Sequence, residues 1–169
     1  PRMLLTVVLP LMVCHGTVQS APPQGKVVLP TQVMVFGPLA KEDGVPAAEL
    51  LRQVPKVLVI GGKRVRARTA AFDAQRCLDC APFTGKTVGN TAWVYLPFTV
   101  TAPGPATFGF GADWWYEAYL DGKLVSETLS RTNEGNGAWP PSIHDFAATV
   151  ELAKGAHLLA VRMGRGSGS

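Results

Sequence analysis

From Thr91 onward apolar and polar residues alternate with a period of two, the signature of strands with one face in a core. Ala92, Val94, Leu96, Phe98 and Val100 share one face, with Trp93 and Tyr95 on the other. Beyond the turn-forming stretch Ala102 to Pro105, Ala106, Phe108, Phe110 and Ala112 share a face, and Gly109 and Gly111 opposite them allow close approach of a neighbour. The pattern predicts that these two runs pair as a hairpin feeding the next strand. That strand, from Gly111, puts Trp114, Tyr116, Ala118 and Leu120 on a core face and Asp113, Trp115, Glu117 and Tyr119 on a face half open to solvent. Asp121-Gly122 then separates it from a further strand ending near Val125, and this pair of residues suits a type I′ turn because both tolerate positive φ.

Periodicity is lost between Ser126 and Ser142, a connection long enough to suggest a functional loop. It returns in Phe146, Ala148, Val150 and Leu152, and after the turn Ala153 to Gly155 in Leu159, Val161 and Met163. Upstream, Gln32 to Pro38 reads as a strand. Residues 56–60 and 64–68 flank Gly61-Gly62 as a second hairpin. Between them Ala47, Leu50, Leu51 and Val54 have helical spacing bracketed by Pro46 and Pro55, predicting one short helix over 47–54 that plugs an end of a sheet. The expected core includes Val94, Leu96, Phe98, Phe108, Phe110, Trp114, Leu120, Val150, Leu159 and Val161. Runs of short strands joined by proline- and glycine-rich turns define an all-β, antiparallel β-sandwich.

At 169 residues the chain has room for a single domain with a hydrophobic core, expected over 32–163. Residues 1–20 are read as a secretory signal: Arg2 precedes the apolar run Met3 to Val13, and Val18-Gln19-Ser20 offers a cleavage site before Ala21. Cys14 follows Val13, which is bulkier than the residue expected before a lipid-bearing cysteine. Residues 21–31 form an extended lead-in, and 164–169 read as a linker or truncated end. These features predict a secreted, periplasmic or cell-surface protein with no membrane association once the signal is removed. The net charge of +4 is densest at Lys63, Arg64, Arg66 and Arg68, where basic residues alternate with apolar and small ones, so a solvated strand face is expected and no nucleic-acid partner. Cys77 and Cys80 could form a redox pair or half a metal site. With no second pair, and in an exported protein, a local disulfide is the expectation.

Two stretches carry a family resemblance. Ala118-Tyr119-Leu120-Asp121-Gly122-Lys123, and the run from Leu152 through Gly155, His157, Leu159 and Val161 to Met163, resemble signature strands of jelly-roll, galactose-binding-like domains that accompany secreted glycoside hydrolases. The likeness covers roughly 91–163 and departs at two positions, since Asp121 and His157 each stand where the family usually has Asn. It implies a jelly-roll, galactose-binding-like sandwich. At the start of the last strand, His157 is expected to be a turn or cap residue.

The Gly-x-Ser-x-Gly and His-Glu-x-x-His motifs are absent from the sequence, and Asp113 and Glu117, two pleats apart on one strand, are separated by roughly 13 Å. That exceeds the roughly 5–9.5 Å of a glycosidase carboxylate pair, so catalysis by this domain is not expected. The sequence suggests a non-catalytic carbohydrate-binding or sugar-binding-like accessory module of a larger exported protein; the alternative is a structural docking or spacer domain without a sugar ligand. Stacking faces and polar anchors for a sugar would come from Asp113, Trp115, Asn136, Trp139 and His144 at one loop end. No cofactor or metal is called for. The expected partner is a carbohydrate or a neighbouring domain of the same polypeptide.

Overall fold

A computed structural model describes residues 2–8, 27–74, 77–112, 114–128 and 146–166. Its strands are β1 (Arg2–Val8), β2 (Val27–Val28), β3 (Gln32–Leu39), β4 (Val57–Ile60), β5 (Lys63–Arg66), β6 (Arg68–Ala71), β7 (Cys77–Asp79), β8 (Thr91–Val100), β9 (Gly104–Ala112), β10 (Trp114–Leu120), β11 (Lys123–Glu127), β12 (Phe146–Leu152) and β13 (Gly155–Arg165). A four-residue helix, α1 (Ala81–Thr84), follows β7. A larger sheet in the order β11-β10-β13-β8-β3-β6, with β2 also on β8, packs against a smaller sheet in the order β12-β9-β1-β7. Every strand pair is antiparallel, so the fold is an all-β sandwich.

The period-two pattern explains the main core. The even positions of β8, from Ala92 to Val100, are buried between the sheets with Phe108 and Phe110 of β9 and Leu159, Val161 and Met163 of β13. Phe98 meets Phe108 edge-on with centroids 5.8 Å apart, and Phe110 stacks on Tyr116 at 5.2 Å. Val150 is half-buried at the margin of this core, and the side chain of Trp114 lies outside the described residues.

The expected β8–β9 hairpin is not formed. β8 pairs with β13 and β3, whereas β9 pairs with β12 and β1 in the opposite sheet. Residues 101–103 therefore arch between layers, and the two apolar faces meet across the core, which satisfies the same alternation as a hairpin would. The larger sheet is accordingly centred on β13 and β8, with β10 one place in from its edge.

The opposite face of the larger sheet is also buried. Trp93, Tyr95, Leu158 and Ala160 lie with Phe36, Leu39, Leu51, Leu58 and Ile60 in a second core under the β4–β5 hairpin. That hairpin turns through Gly61 (φ 54°) and Gly62 (φ 74°), as its sequence predicts, and Lys63, Arg64 and Arg66 point to solvent. Asp43 tethers it: one carboxylate oxygen accepts from the Ala40 backbone N–H and from Lys63 Nζ, each at 2.8 Å. The residues expected to form a two-turn helix over 47–54 form a single 3-10 turn, Ala48–Leu51, lying on the sheet face with Leu51 buried in the second core. Pro46 and Pro55 bracket too few residues for a longer helix to repay its nucleation.

β1 comes from the stretch read in the sequence as an export signal. The structure places it at the centre of the smaller sheet, between β9 and β7. Continuous apolar character suits a buried strand as well as a signal core, so composition does not separate the two.

Candidate functional site

Of the residues expected from the sequence to form a sugar site, Trp115 lies near the start of β10. Asp113, Asn136, Trp139 and His144 fall outside the described residues. Trp115 is described, and it corrects the expectation of a face half open to solvent: the residue is 3% exposed. Arg162 lies over its ring at 5.2 Å and Lys41 at 5.9 Å. The ring also covers Gly164, where an added Cβ would stand only 2.2–2.7 Å from three indole atoms. Trp115 is therefore a packing residue in this structure.

Beside it, Glu117 and Arg162 are directly opposed on β10 and β13 and form a buried ion pair at 3.1 Å. Arg162 also donates to the Lys41 carbonyl, and the Tyr119 hydroxyl donates to the second Glu117 oxygen at 3.2 Å. Burial, and then the adjacent Glu117 charge, push the Tyr119 hydroxyl up to about 12. Glu117 thus has a cation and a phenol as fixed partners and is held in structural work rather than presented to a ligand. Sequence alternation put Glu117 on the correct face; what was missing was the β10–β13 register that sets Arg162 opposite it.

At the other end of the sandwich the structure joins the two positions that depart from the family pattern. Asp121, at φ 48° in the β10–β11 turn, accepts from His157 Nδ1 at 2.7 Å through Oδ2 and from the Leu158 backbone N–H at 2.9 Å through Oδ1. The Asp121 N–H in turn donates to the Leu158 carbonyl at 2.9 Å. His157 Nε2 lies 2.9 Å from the Ala153 carbonyl, and the ring stacks on Phe98 at 5.5 Å. Both ring nitrogens face acceptors, an arrangement fully satisfied only when both carry a proton. Burial opposes that charge, but the hydrogen bonds to Asp121 and Ala153 and the Asp121 charge outweigh it, raising the His157 pKa above its ordinary 6.5. The His157 ring is therefore a clamp between the β10–β11 turn and the start of β13. With both nitrogens engaged, it is not available as a general base.

Two clefts flank this clamp and share Pro97, Ala156 and His157. One, of about 330 Å³, adds Val28, Leu29, Pro30, Phe98 and Thr99. The other, of about 200 Å³, adds Arg52, Gln53, Val54, Asp121 and Leu158 and has the more polar rim. The His157–Asp121 contact was not legible from the sequence, although both residues stood out there as departures.

Cys77 and Cys80 are not joined by a disulfide, which corrects the sequence expectation. Cys80 opens α1, its carbonyl accepting from the backbone N–H groups of Phe83 and Thr84, and its side chain is sequestered in the main core. Cys77 sits half-buried on β7. Burial, then the nearby Asp79 carboxylate, push the Cys80 thiol up to about 12, which suppresses the thiolate needed for exchange or metal binding. Among the described residues no group of three or more His, Cys, Asp or Glu is placed to hold a metal ion. Comparison with protein-family models, with curated proteins and with solved structures finds no match.

Proposed function

We propose that this chain is a non-catalytic, sugar-binding-like accessory module of a larger exported protein. One observation carries the reading. The two stretches that resemble galactose-binding-like domains lie side by side as β10 and β13, with Ala118 opposite Val161 and Leu120 opposite Leu159. Their two departures from the family pattern, Asp121 and His157, compensate one another in a single 2.7 Å contact. A concerted pair keeps the turn-to-strand tie that the signature strands need, which supports family membership despite the changes.

The sugar site of this proposal lies at the end formed by Asp113 and the segment 133–145, with Trp139 as its stacking ring and Asn136 and His144 as polar anchors. Trp115, being buried, is not counted among the residues that contact sugar. A shallow site with one ring binds weakly, and a millimolar dissociation constant corresponds to about 4 kcal/mol. Titration calorimetry after a glycan array tests this. Trp139→Ala should abolish binding of any glycan found, while His157→Gln at the far end should leave it intact.

The burial of Trp115 also favours a second reading, because it removes one of two expected stacking faces. In that reading the chain is a docking or spacer module. An array on which no oligosaccharide binds would put it in first place.

A further inference from the structure

Four basic residues stand close together in sequence at Lys63, Arg64, Arg66 and Arg68, and the structure gives them two different situations. Lys63 Nζ is paired with the Asp43 carboxylate at 2.8 Å, and Arg68 donates to the Pro82 carbonyl at 3.0 Å with its guanidinium over the Phe83 ring. Arg64 and Arg66 form no ion pair or side-chain hydrogen bond among the described residues. Both are exposed, and as alternate residues of β5 they lie on one face of the β4–β5 hairpin, about 7 Å apart along the strand. The other face of that hairpin, through Leu58 and Ile60, is buried in the second core, so the arginines stand on a fixed base.

Their cross-strand neighbours show what that face suits. The register sets Arg64 opposite Val59 and Arg66 opposite Val57, and opposed residues share a face. A face that meets only water gains from an acidic residue across from each arginine. Here two like charges stand side by side with valines as neighbours, and Val59 is 48% exposed. Arginine beside exposed apolar side chains is the composition of protein interfaces, in which lysine is depleted. We propose that the outer face of the β4–β5 hairpin docks an extended acidic segment of a partner protein. An extended chain with acidic residues at alternate positions presents its carboxylates on one side at the same spacing of about 7 Å, so each meets one guanidinium fork. Apolar residues flanking that pair on the same side shield Val57 and Val59 from water. A footprint of four side chains is far below that of a stable globular interface, which favours a short segment over a domain surface. The face has no aromatic ring on which a nucleic-acid base could stack, and two free arginines fall short of the about four to eight basic residues of an anionic-lipid patch. The proposal does not depend on whether the module binds sugar.

The test titrates the full chain at low ionic strength with the end-blocked peptide Val-Ser-Glu-Ser-Glu-Ser-Val, following amide chemical shifts. Its control, Val-Ser-Glu-Glu-Ser-Ser-Val, has the same composition and charge but points its two carboxylates to opposite sides of an extended chain. The expected result is shifts at residues 57–66 and a dissociation constant about fivefold or more lower for the first peptide than for the control. Arg64→Ser with Arg66→Ser should weaken the first peptide about tenfold or more, whereas Lys86→Ser with Lys154→Ser, which removes the same charge from other elements, should change it by less than about twofold. Both arginines are exposed, so the urea midpoint of their double variant should match wild type; if it does not, Arg64→Lys with Arg66→Lys takes its place, and should also weaken the first peptide because it keeps the charge and loses the forks. No binding, equal binding of the two peptides, or an equal loss from the lysine pair overturns the docking face. An oligonucleotide, an acidic polysaccharide or phosphatidylserine vesicles that displace the bound peptide at equal charge concentration overturn the choice of a protein partner.

Discussion

Replacing Gly164 with alanine tests the burial of Trp115 directly. Gly164 sits in β13 between Trp115 of β10 and Thr91 of β8, with a paired strand on each side, so its backbone has little room to move. The new Cβ would stand 2.2 Å from the Trp115 Cε2, 2.3 Å from Nε1 and 2.7 Å from Cζ2. Ordinary contact begins near 3.4 Å, so the indole must retreat by about 1 Å. It cannot do so freely, since it is 3% exposed and lies under Arg162. Overpacking of this kind costs about 1–3 kcal/mol. Urea denaturation of wild type, Gly164→Ala, Trp115→Leu and the double variant gives a cycle in which the alanine should cost about 1–3 kcal/mol beside Trp115 and under about 0.5 beside Leu. A solvent-facing Trp115 makes a different forecast, with Gly164→Ala neutral to within about 0.5 kcal/mol in both backgrounds. That outcome, or an equal penalty in both, refutes the placement of the ring.

Three further outcomes are expected. Phe110→Ala removes a ring stacked on Tyr116 in the main core and should cost about 3–5 kcal/mol in the same denaturation assay; a cost below about 1 would place the ring elsewhere. His157 holds its proton above the ordinary 6.5 when folded, so its stabilisation is complete below about pH 6.5 and is lost as pH rises through the folded value. Urea midpoints of wild type should therefore fall across that window relative to His157→Gln, and parallel pH profiles would show that the Asp121 clamp carries no linkage. Non-reducing peptide mapping of the native protein should find Cys77 and Cys80 as thiols, with Cys80 resisting alkylation at neutral pH until unfolding; a linked peptide pair would contradict the structure.

Local chemistry was enough to predict the turns and the inward faces. Asp121-Gly122 and Gly61-Gly62 turn with the positive φ that their sequences imply, and the alternating residues of β8, β9, β12 and β13 all face the main core. These features depend only on residues adjacent in sequence. The second face was not legible, because alternation shows that Trp93, Tyr95, Trp115 and Glu117 share the opposite side of the sheet but says nothing about what covers it. The β4–β5 hairpin and the Ala48–Leu51 turn cover Trp93 and Tyr95, and Arg162 covers Trp115.

The sequence by itself determined that the chain forms antiparallel strands, where they turn, and which side chains the main core receives, because period-two burial and positive-φ turns are local requirements. Only the tertiary structure decided that β8 and β9 part into different sheets, since an arch and a hairpin bury the same alternating residues. Register across strands distant in sequence likewise decided three pairings: Glu117 with Arg162, Asp121 with His157, and Trp115 with Gly164. Each depends on a one-residue choice of pairing between β10 and β13, and a slip by one residue would turn every partner to the other face.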